Sequence, residues 1–317
     1  MLLSVNYHYI RESFEAPFPA IFGKTPEQFE AQIEELARHG SFISADQLDD
    51  AIRRAKALPE RSILITFDDG LKEQLEFAVP ILDKLGVPAC FFINTKALSD
   101  SSLLNVHLIH LVRSQLAPEV ILEELLKHPS YHKLTEEEKA SHRSLGIAHY
   151  RYDEPENAYL KYILNFALSR EDVMALFHHL FDSVLAWDMK AVHDNLYLNE
   201  NDLKTLGRSQ YIGSHSHDHL PVGVLEEGFA KDEVARSKAL LEKVGHLPKG
   251  FSYPYGSKEA VGSVYEWLDN YEFSFAVTMN RGYNVNLNQP FLLKRCDNND
   301  VPGGKSFQPE LLKGFLA

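Results

Sequence analysis

Apolar positions along this chain follow two different rhythms. Short apolar or β-branched runs at residues 2–9, 42–43, 63–67, 89–93, 211–213, 250–256, 273–278 and 291–295 read as strands. Between them lie windows with apolar residues three and four apart, at 26–39, 45–57, 73–85, 199–206, 229–244 and 257–271, which read as helices. Thr25-Pro26 and Ser44 supply N-cap signals, while Gly40 and Gly86 supply stops. Regular alternation of strand and helix implies a parallel sheet, and about seven such strands suit a deformed (β/α)7 barrel of the α/β class.

The alternation lapses between about 99 and 199. Helical windows at 103–116, 118–126, 136–145, 156–167 and 169–187 follow one another there with hardly a strand-like run. The expected organisation is one catalytic barrel domain over residues 1–317, with a helical insertion at about 99–199 growing from one βα connection.

Composition narrows the class of protein. At 44% hydrophobic and 24% charged residues the chain is an ordinary globular one, and no apolar run reaches the roughly 18 residues of a membrane span. Lysine and arginine number 32 against 45 aspartates and glutamates, a net charge of −13 that repels a phosphate backbone and argues against nucleic acid as a partner. Cys90 and Cys296 are too few for a disulfide framework and suit a reducing compartment. Residues 1–9 read as a core strand with no basic leader before an apolar segment, so the expected location is cytoplasmic.

Chemistry concentrates at the end of the third run. Ile63-Leu64-Ile65-Thr66-Phe67 leads into Asp68-Asp69-Gly70, at the C-terminal end of a strand where α/β folds place their sites. An isolated Asp-Asp-Gly is often just a turn with solvated carboxylates. Two buried neighbouring carboxylates, however, repel each other unless a cation or a shared proton intervenes. His215 and His219, four residues apart just after the glycine-ended run at 211–213, have the spacing at which two imidazoles share one ion. With Asp69 they make a three-ligand set that leaves a position for water, as a hydrolase requires.

In this order the motifs resemble those of the NodB-homology polysaccharide deacetylases, carbohydrate esterase family 4. Thr66-Phe67-Asp68-Asp69-Gly70 is similar to the first family motif, His215-Ser216-His217-Asp218-His219 to the second and Tyr253-Pro254-Tyr255-Gly256 to the third. The resemblance implies Asp68 as catalytic base, Asp69, His215 and His219 as metal ligands, and the Tyr255 backbone N–H as an oxyanion donor. It implies one divalent metal ion, zinc first, with cobalt, nickel, iron or manganese as alternatives. The chain departs from the family twice. Ser252 stands where an arginine usually steadies the catalytic aspartate, and residues 292–295 lack the late histidine that serves as general acid. Arg295 is the candidate for the first role, and a simple ion pair is its other reading. The branch acting on poly-N-acetylglucosamine has a similar third motif and uses a first-strand histidine as acid, which implies His8 here; a hydrogen-bonded rim residue is its alternative.

Other polar and aromatic residues invite weaker readings. His217 and Asp218 read as exposed or capping spacers, and Asp297 and Asp300 as surface-loop residues, with orientation of Arg295 or contact to substrate hydroxyls as the alternatives for Asp297. His107, His110, His178 and His179 read as partly exposed helix faces of the insertion. Tyr255, and after it Tyr253, are the candidate sugar-stacking rings.

The expected function is therefore metal-dependent removal of N-acetyl groups from a saccharide, such as a nucleotide- or lipid-linked precursor of a surface polysaccharide. Two alternatives stand beside it. One is a relative that hydrolyses another C–N bond, in a cyclic ureide or a formamide, and the other is a carbohydrate-binding protein without turnover.

Overall fold

The computed structural model describes residues 1–15, 21–149 and 154–316. Part of the loop expected over residues 11–23 lies outside them. By contacts the chain divides into two compact units, one of residues 1–13, 22–102 and 193–317, the other of residues 103–192 with the described part of 14–21.

The first unit is built on a parallel sheet. Its strands are β1 (Leu2–Tyr7), β2 (Ser41–Phe42), β3 (Ser62–Phe67), β4 (Ala89–Ile93), β5 (Tyr211–Ser214), β6 (Gly250–Ser252), β7 (Phe275–Val277) and β8 (Cys296–Asp297). They lie in the order β7-β6-β5-β4-β3-β1-β8, with β2 paired to the first residues of β3. The segment 293–297 touches both ends of this order. Leu293 donates to the Ala276 carbonyl at 3.1 Å and accepts from Thr278 N–H at 2.9 Å, while Cys296 and Asp297 pair with Val5 and Asn6 of β1. The sheet is thus curled into the deformed α/β barrel that the alternation of elements implies.

Strand alternation explains where the core sits. Leu3, Val5, Tyr7, Ile63, Ile65, Phe67, Phe91 and Ile93 pack in one cluster with Phe29, Ile33 and Leu36 of helix Pro26–Ala37 and Leu82 of helix Val79–Leu85. The intervening residues Leu2, Leu64, Cys90 and Phe92 meet Phe275, Val277 and Leu293 from across the curl in a second cluster. That inner space is narrow. A Cβ on Gly213 would stand 2.5 Å from the Phe92 ring, and one on Gly250 the same distance from the Phe275 ring, so glycine is required at both positions. The inner series continues upward into polar residues, Asn6, Thr66 and then Asp68, all buried.

Several expected elements are shorter or interrupted. The helix expected over 257–271 breaks after Lys258–Val261 into two 3-10 turns, because Gly262 leaves helical geometry at φ 51° and ψ −131° where it packs against Gly223. The helix at 73–85 opens with a π turn at Gln74–Ala78, one residue before Pro80, which has no N–H to give. The strand expected at 291–295 starts later, since Pro290–Leu292 is a 3-10 turn.

The second unit is helical, with helices Asn105–Gln115, Pro118–Lys127, Glu136–His149, Pro155–Tyr162 and Arg170–His179. Apolar residues at helical spacing, among them Leu108, Leu111, Ile121, Leu125 and Phe177, are buried, and the Tyr131 and Tyr159 hydroxyls are hydrogen-bonded at 2.9 Å. His107 is buried too, which corrects its expected place on a partly exposed helix face.

Candidate active site

The site forms where β1, β3, β5 and β6 end. The Asp68 N–H donates to the Tyr7 carbonyl at 3.1 Å, continuing the β1–β3 ladder one residue past the strand. The backbone then turns sharply, with positive φ at Asp69 (79°) and Gly70 (68°). A left-handed conformation at a non-glycine residue is costly, so its surroundings must hold it. Gln74 helps, donating from Nε2 to the carbonyls of Asp68 at 2.7 Å and His8 at 2.9 Å. The two carboxylates consequently leave the strand in different directions and meet different partners.

Asp68 meets Arg295. The guanidinium donates from Nη1 to Oδ1 at 2.9 Å and from Nη2 to Oδ2 at 2.7 Å, a two-pronged pair that excludes water almost wholly. Asn6 Nδ2 donates to Oδ2 as well, at 3.2 Å. Arg295 is itself held by Asn6 Oδ1 at 2.9 Å and Ser252 Oγ at 3.0 Å. Burial by itself would raise the Asp68 carboxyl, but the charge of Arg295, with smaller help from His215 and His8, outweighs it and holds the group at about 2. The cation absent from position 252 thus arrives from residue 295, and Ser252 serves as one of its acceptors. Asp297 instead accepts the Asn299 N–H, and Asp300 pairs with Arg281 at 3.2 Å.

Asp69 meets the histidines. Its Oδ1 lies 3.6 Å from His215 Nε2 and 3.5 Å from His219 Nε2, and ligand atoms of the three buried residues lie within 4.8 Å of one another. Atoms each about 2.1 Å from one shared ion are spaced in this way. The His215 tautomer fits as well: Nδ1 is 2.7 Å from the Ser252 carbonyl, which only accepts, so Nδ1 carries the proton and Nε2 turns its lone pair toward Asp69. The donor set therefore suits a divalent ion.

The loop that carries the histidines is clamped from below. Ser216 and His219 both have positive φ, 61° and 54°. The carbonyls of Ser216 and His217 accept from Thr95 and Lys96 N–H, the His215 carbonyl accepts from Asn94 Nδ2, and His217 Nδ1 is hydrogen-bonded to Thr95 Oγ1 at 3.0 Å. Glu233, fully buried on helix Glu227–Lys243, accepts the Asp218 N–H at 2.8 Å. His217 is therefore a buried tie and not an exposed spacer, and Asp218 faces Lys96 at 3.2 Å. Sequence reading passed over Glu233, Asn6, Gln74 and Thr95. Asn6 alone carried a signal, as a polar residue on the inner face of an apolar strand.

The remaining candidates fall nearby with different exposure. Tyr255 has φ 61°, is half exposed, and sets its ring 5.0 Å from that of His219. Tyr253 is buried beside Phe251 and Phe273, with its hydroxyl donating to the Phe291 carbonyl at 3.0 Å, so it is a core residue and not a stacking platform. His8 follows β1, partly exposed and close enough to Asp68 for its charge to act there.

A curled parallel sheet with an Asp-His-His cluster beside an arginine-held carboxylate defines a deformed α/β barrel with a candidate metal centre at its strand ends. Known proteins similar to this chain fit that class. The family model described as polysaccharide deacetylase matches residues 55–140, a stretch that contains Asp68 and Asp69 but ends before the histidine loop. The poly-beta-1,6-N-acetyl-D-glucosamine N-deacetylase of Staphylococcus aureus strain MSSA476 is 32% identical over 118 residues, and the match spans 34% of this chain and 40% of that relative's length. Two solved structures have a similar fold at low identity. IcaB from Ammonifex degensii gives a TM-score of 0.55 at 17% identity, over 93% of this chain and 90% of the other. The Streptococcus pyogenes deacetylase PplD in complex with acetate gives 0.55 at 13% identity, over 100% and 97%. These matches agree with the resemblance of its motifs to the NodB-homology polysaccharide deacetylases, and the chain spans less than half the length of the S. aureus relative it matches.

Proposed function

We propose that the protein is a metal-dependent hydrolase that removes N-acetyl groups from an N-acetylhexosamine saccharide. The observation that carries this reading is the division of labour between adjacent carboxylates, one locked as an anion by Arg295 and one grouped with two imidazoles. The similarity to the S. aureus poly-beta-1,6-N-acetyl-D-glucosamine N-deacetylase supports an N-acetylglucosamine substrate.

Asp69, His215 and His219 would hold the divalent ion, zinc being the first choice for a set of two imidazoles and a carboxylate. When bound, such an ion polarises an acetamide carbonyl and acidifies water. Asp68, ionised across the neutral range, accepts the proton of the attacking water. Arg295 and Asn6 fix the direction of its lone pairs, so the base meets water in one orientation. The Tyr255 backbone N–H, set out by its left-handed turn, donates to the oxygen that becomes negative as the carbonyl is attacked. His8 gives a proton to the departing sugar nitrogen, which leaves as an amine.

The test is product identity. The zinc-loaded protein is incubated with β-1,6-linked N-acetylglucosamine oligomers, with nucleotide- and lipid-linked N-acetylglucosamine, with a formamide and with a cyclic ureide. Acetate release from an N-acetylglucosamine compound supports the proposal; formate or ring-opened product, or saccharide binding with no turnover, overturns it.

A further inference from the structure

Between helix Pro26–Ala37 and the 302–309 loop lies a cleft of about 740 Å³, a volume typical of small-molecule sites. One end is cationic. Lys24 and Lys305 both line it, and Lys24 is 4% exposed. Buried ammonium groups ordinarily have a carboxylate partner, since an uncompensated charge away from water is expensive. Lys24 forms no ion pair among the described residues. Asp297 acts on it only at longer range, and Glu35, the carboxylate that lines the cleft, is engaged by Arg38 at 2.8 Å and His39 at 3.2 Å. Burial and, next, the neighbouring charge of Lys305 lower the pKa of Lys24, the strain expected of two cations facing a space without a counter-ion. The rest of the wall is largely apolar, with Ala31, Phe307 and Leu316.

We propose that this cleft is a binding site for a small organic anion, its phosphate or carboxylate head held by Lys24 and Lys305 and its apolar body lying along Phe307 and Leu316. Such a ligand supplies the missing negative charge and covers Phe307, which is otherwise an exposed aromatic ring. The site is independent of the deacetylase reading, because no residue of the Asp69, His215 and His219 cluster lines it.

The test uses the whole unmodified protein. Its lysines are acetylated with a limiting amount of acetic anhydride at fixed pH and quantified one by one by mass spectrometry, with hexyl phosphate, hexanoate, hexanol or ionic-strength-matched sodium chloride present. Saturable protection of Lys24 by hexyl phosphate or hexanoate, roughly tenfold at a concentration ten times the Kd, supports the site, and whichever of the two protects identifies the head group. The same anion should raise the melting temperature of the wild type and not that of Lys24→Met. Absence of protection, or equal protection by sodium chloride or hexanol, overturns the proposal, and this readout stands even if Lys24→Met does not fold.

Discussion

Arg295 reaches Asp68 across the barrel with two parallel hydrogen bonds of 2.9 and 2.7 Å, and neither side chain has appreciable contact with water. A buried pair of this kind fixes both the charge and the direction of the carboxylate. Arg295 arrives from the segment that joins β7 to β8, and the Asp68 Oδ2 to which its Nη2 donates lies 3.9 Å from His215 Nε2, so the pair borders the histidine cluster.

That relationship predicts the behaviour of the acid limb. With its pKa depressed to about 2, the Asp68 carboxylate stabilises the fold above the ordinary aspartate range, and this contribution is lost as pH falls toward 2. Arg295→Lys keeps a cation but loses the fork, so the depression should shrink and the acid limb of kcat/KM should move to higher pH. Arg295→Met leaves the carboxylate uncompensated and should destabilise the fold by about 3–5 kcal/mol. A kcat/KM profile for Arg295→Lys that superimposes on the wild type would contradict the assignment.

The two aspartates should fail differently. Asp69→Ala, His215→Ala and His219→Ala remove one donor from the cluster and should lose bound metal, measured by elemental analysis after dialysis. Asp68→Asn should retain the metal and lose roughly 10²–10⁴ in kcat. Equal metal loss in all four variants would show that the carboxylates do not divide their roles.

Removing the ion should mirror the ligand variants in the wild type. A strong chelator should abolish acetate release, and the melting temperature should fall because a ligand bound to the native state contributes RT ln(1 + [L]/Kd). Zinc or cobalt should restore both. Acetate release that survives complete metal removal would exclude the proposed chemistry.

Much of this site could be read in the sequence, for a definite reason. Asp68 and His215 sit directly after strands and Asp69 and His219 follow them closely, so apolar runs announce their positions and short local spacing announces their grouping. Arg295 was legible only as a cation on a late strand, next to Lys294, since its partner lies 227 residues away. Glu233 was not legible at all: it occupies a buried place on an amphipathic helix where a charged residue reads as surface. Tyr253 failed in the opposite sense, because an aromatic next to a motif looks available until packing against Phe251 and Phe273 is seen. The broken helix at 257–271 turned on the approach of Gly262 to Gly223, which helical periodicity does not contain.

Glu73 gives an independent prediction at alkaline pH. Burial pushes its carboxyl up to about 8, although Arg11 Nε lies 3.3 Å away and pulls the other way. The raised group takes up a proton on folding between the ordinary glutamate range and about pH 8, so its stabilising contribution is complete at low pH and disappears as pH rises through 8. Glu73→Gln should remove this part of the pH dependence and be more stable than the wild type near pH 9, by up to a few kcal/mol. If the difference in melting temperature between the two proteins is constant from pH 5 to about 9, Arg11 has kept the carboxylate ionised throughout.

Glu233 is the sharpest test of how the histidine loop is held. Its carboxylate accepts the Asp218 N–H between His215 and His219, and it is not one of the three grouped donors Asp69, His215 and His219. Its action on the site is therefore positional. Glu233→Ala should weaken zinc affinity by about 10–100-fold, as loss of a supporting partner does at comparable centres, and should alter the visible absorption of the cobalt-loaded protein. Glu233→Gln retains a carbonyl oxygen for the same N–H and should restore most of the affinity. A residue important only to global packing would lower the melting temperature of Glu233→Ala while leaving zinc affinity and the cobalt spectrum of the folded fraction unchanged.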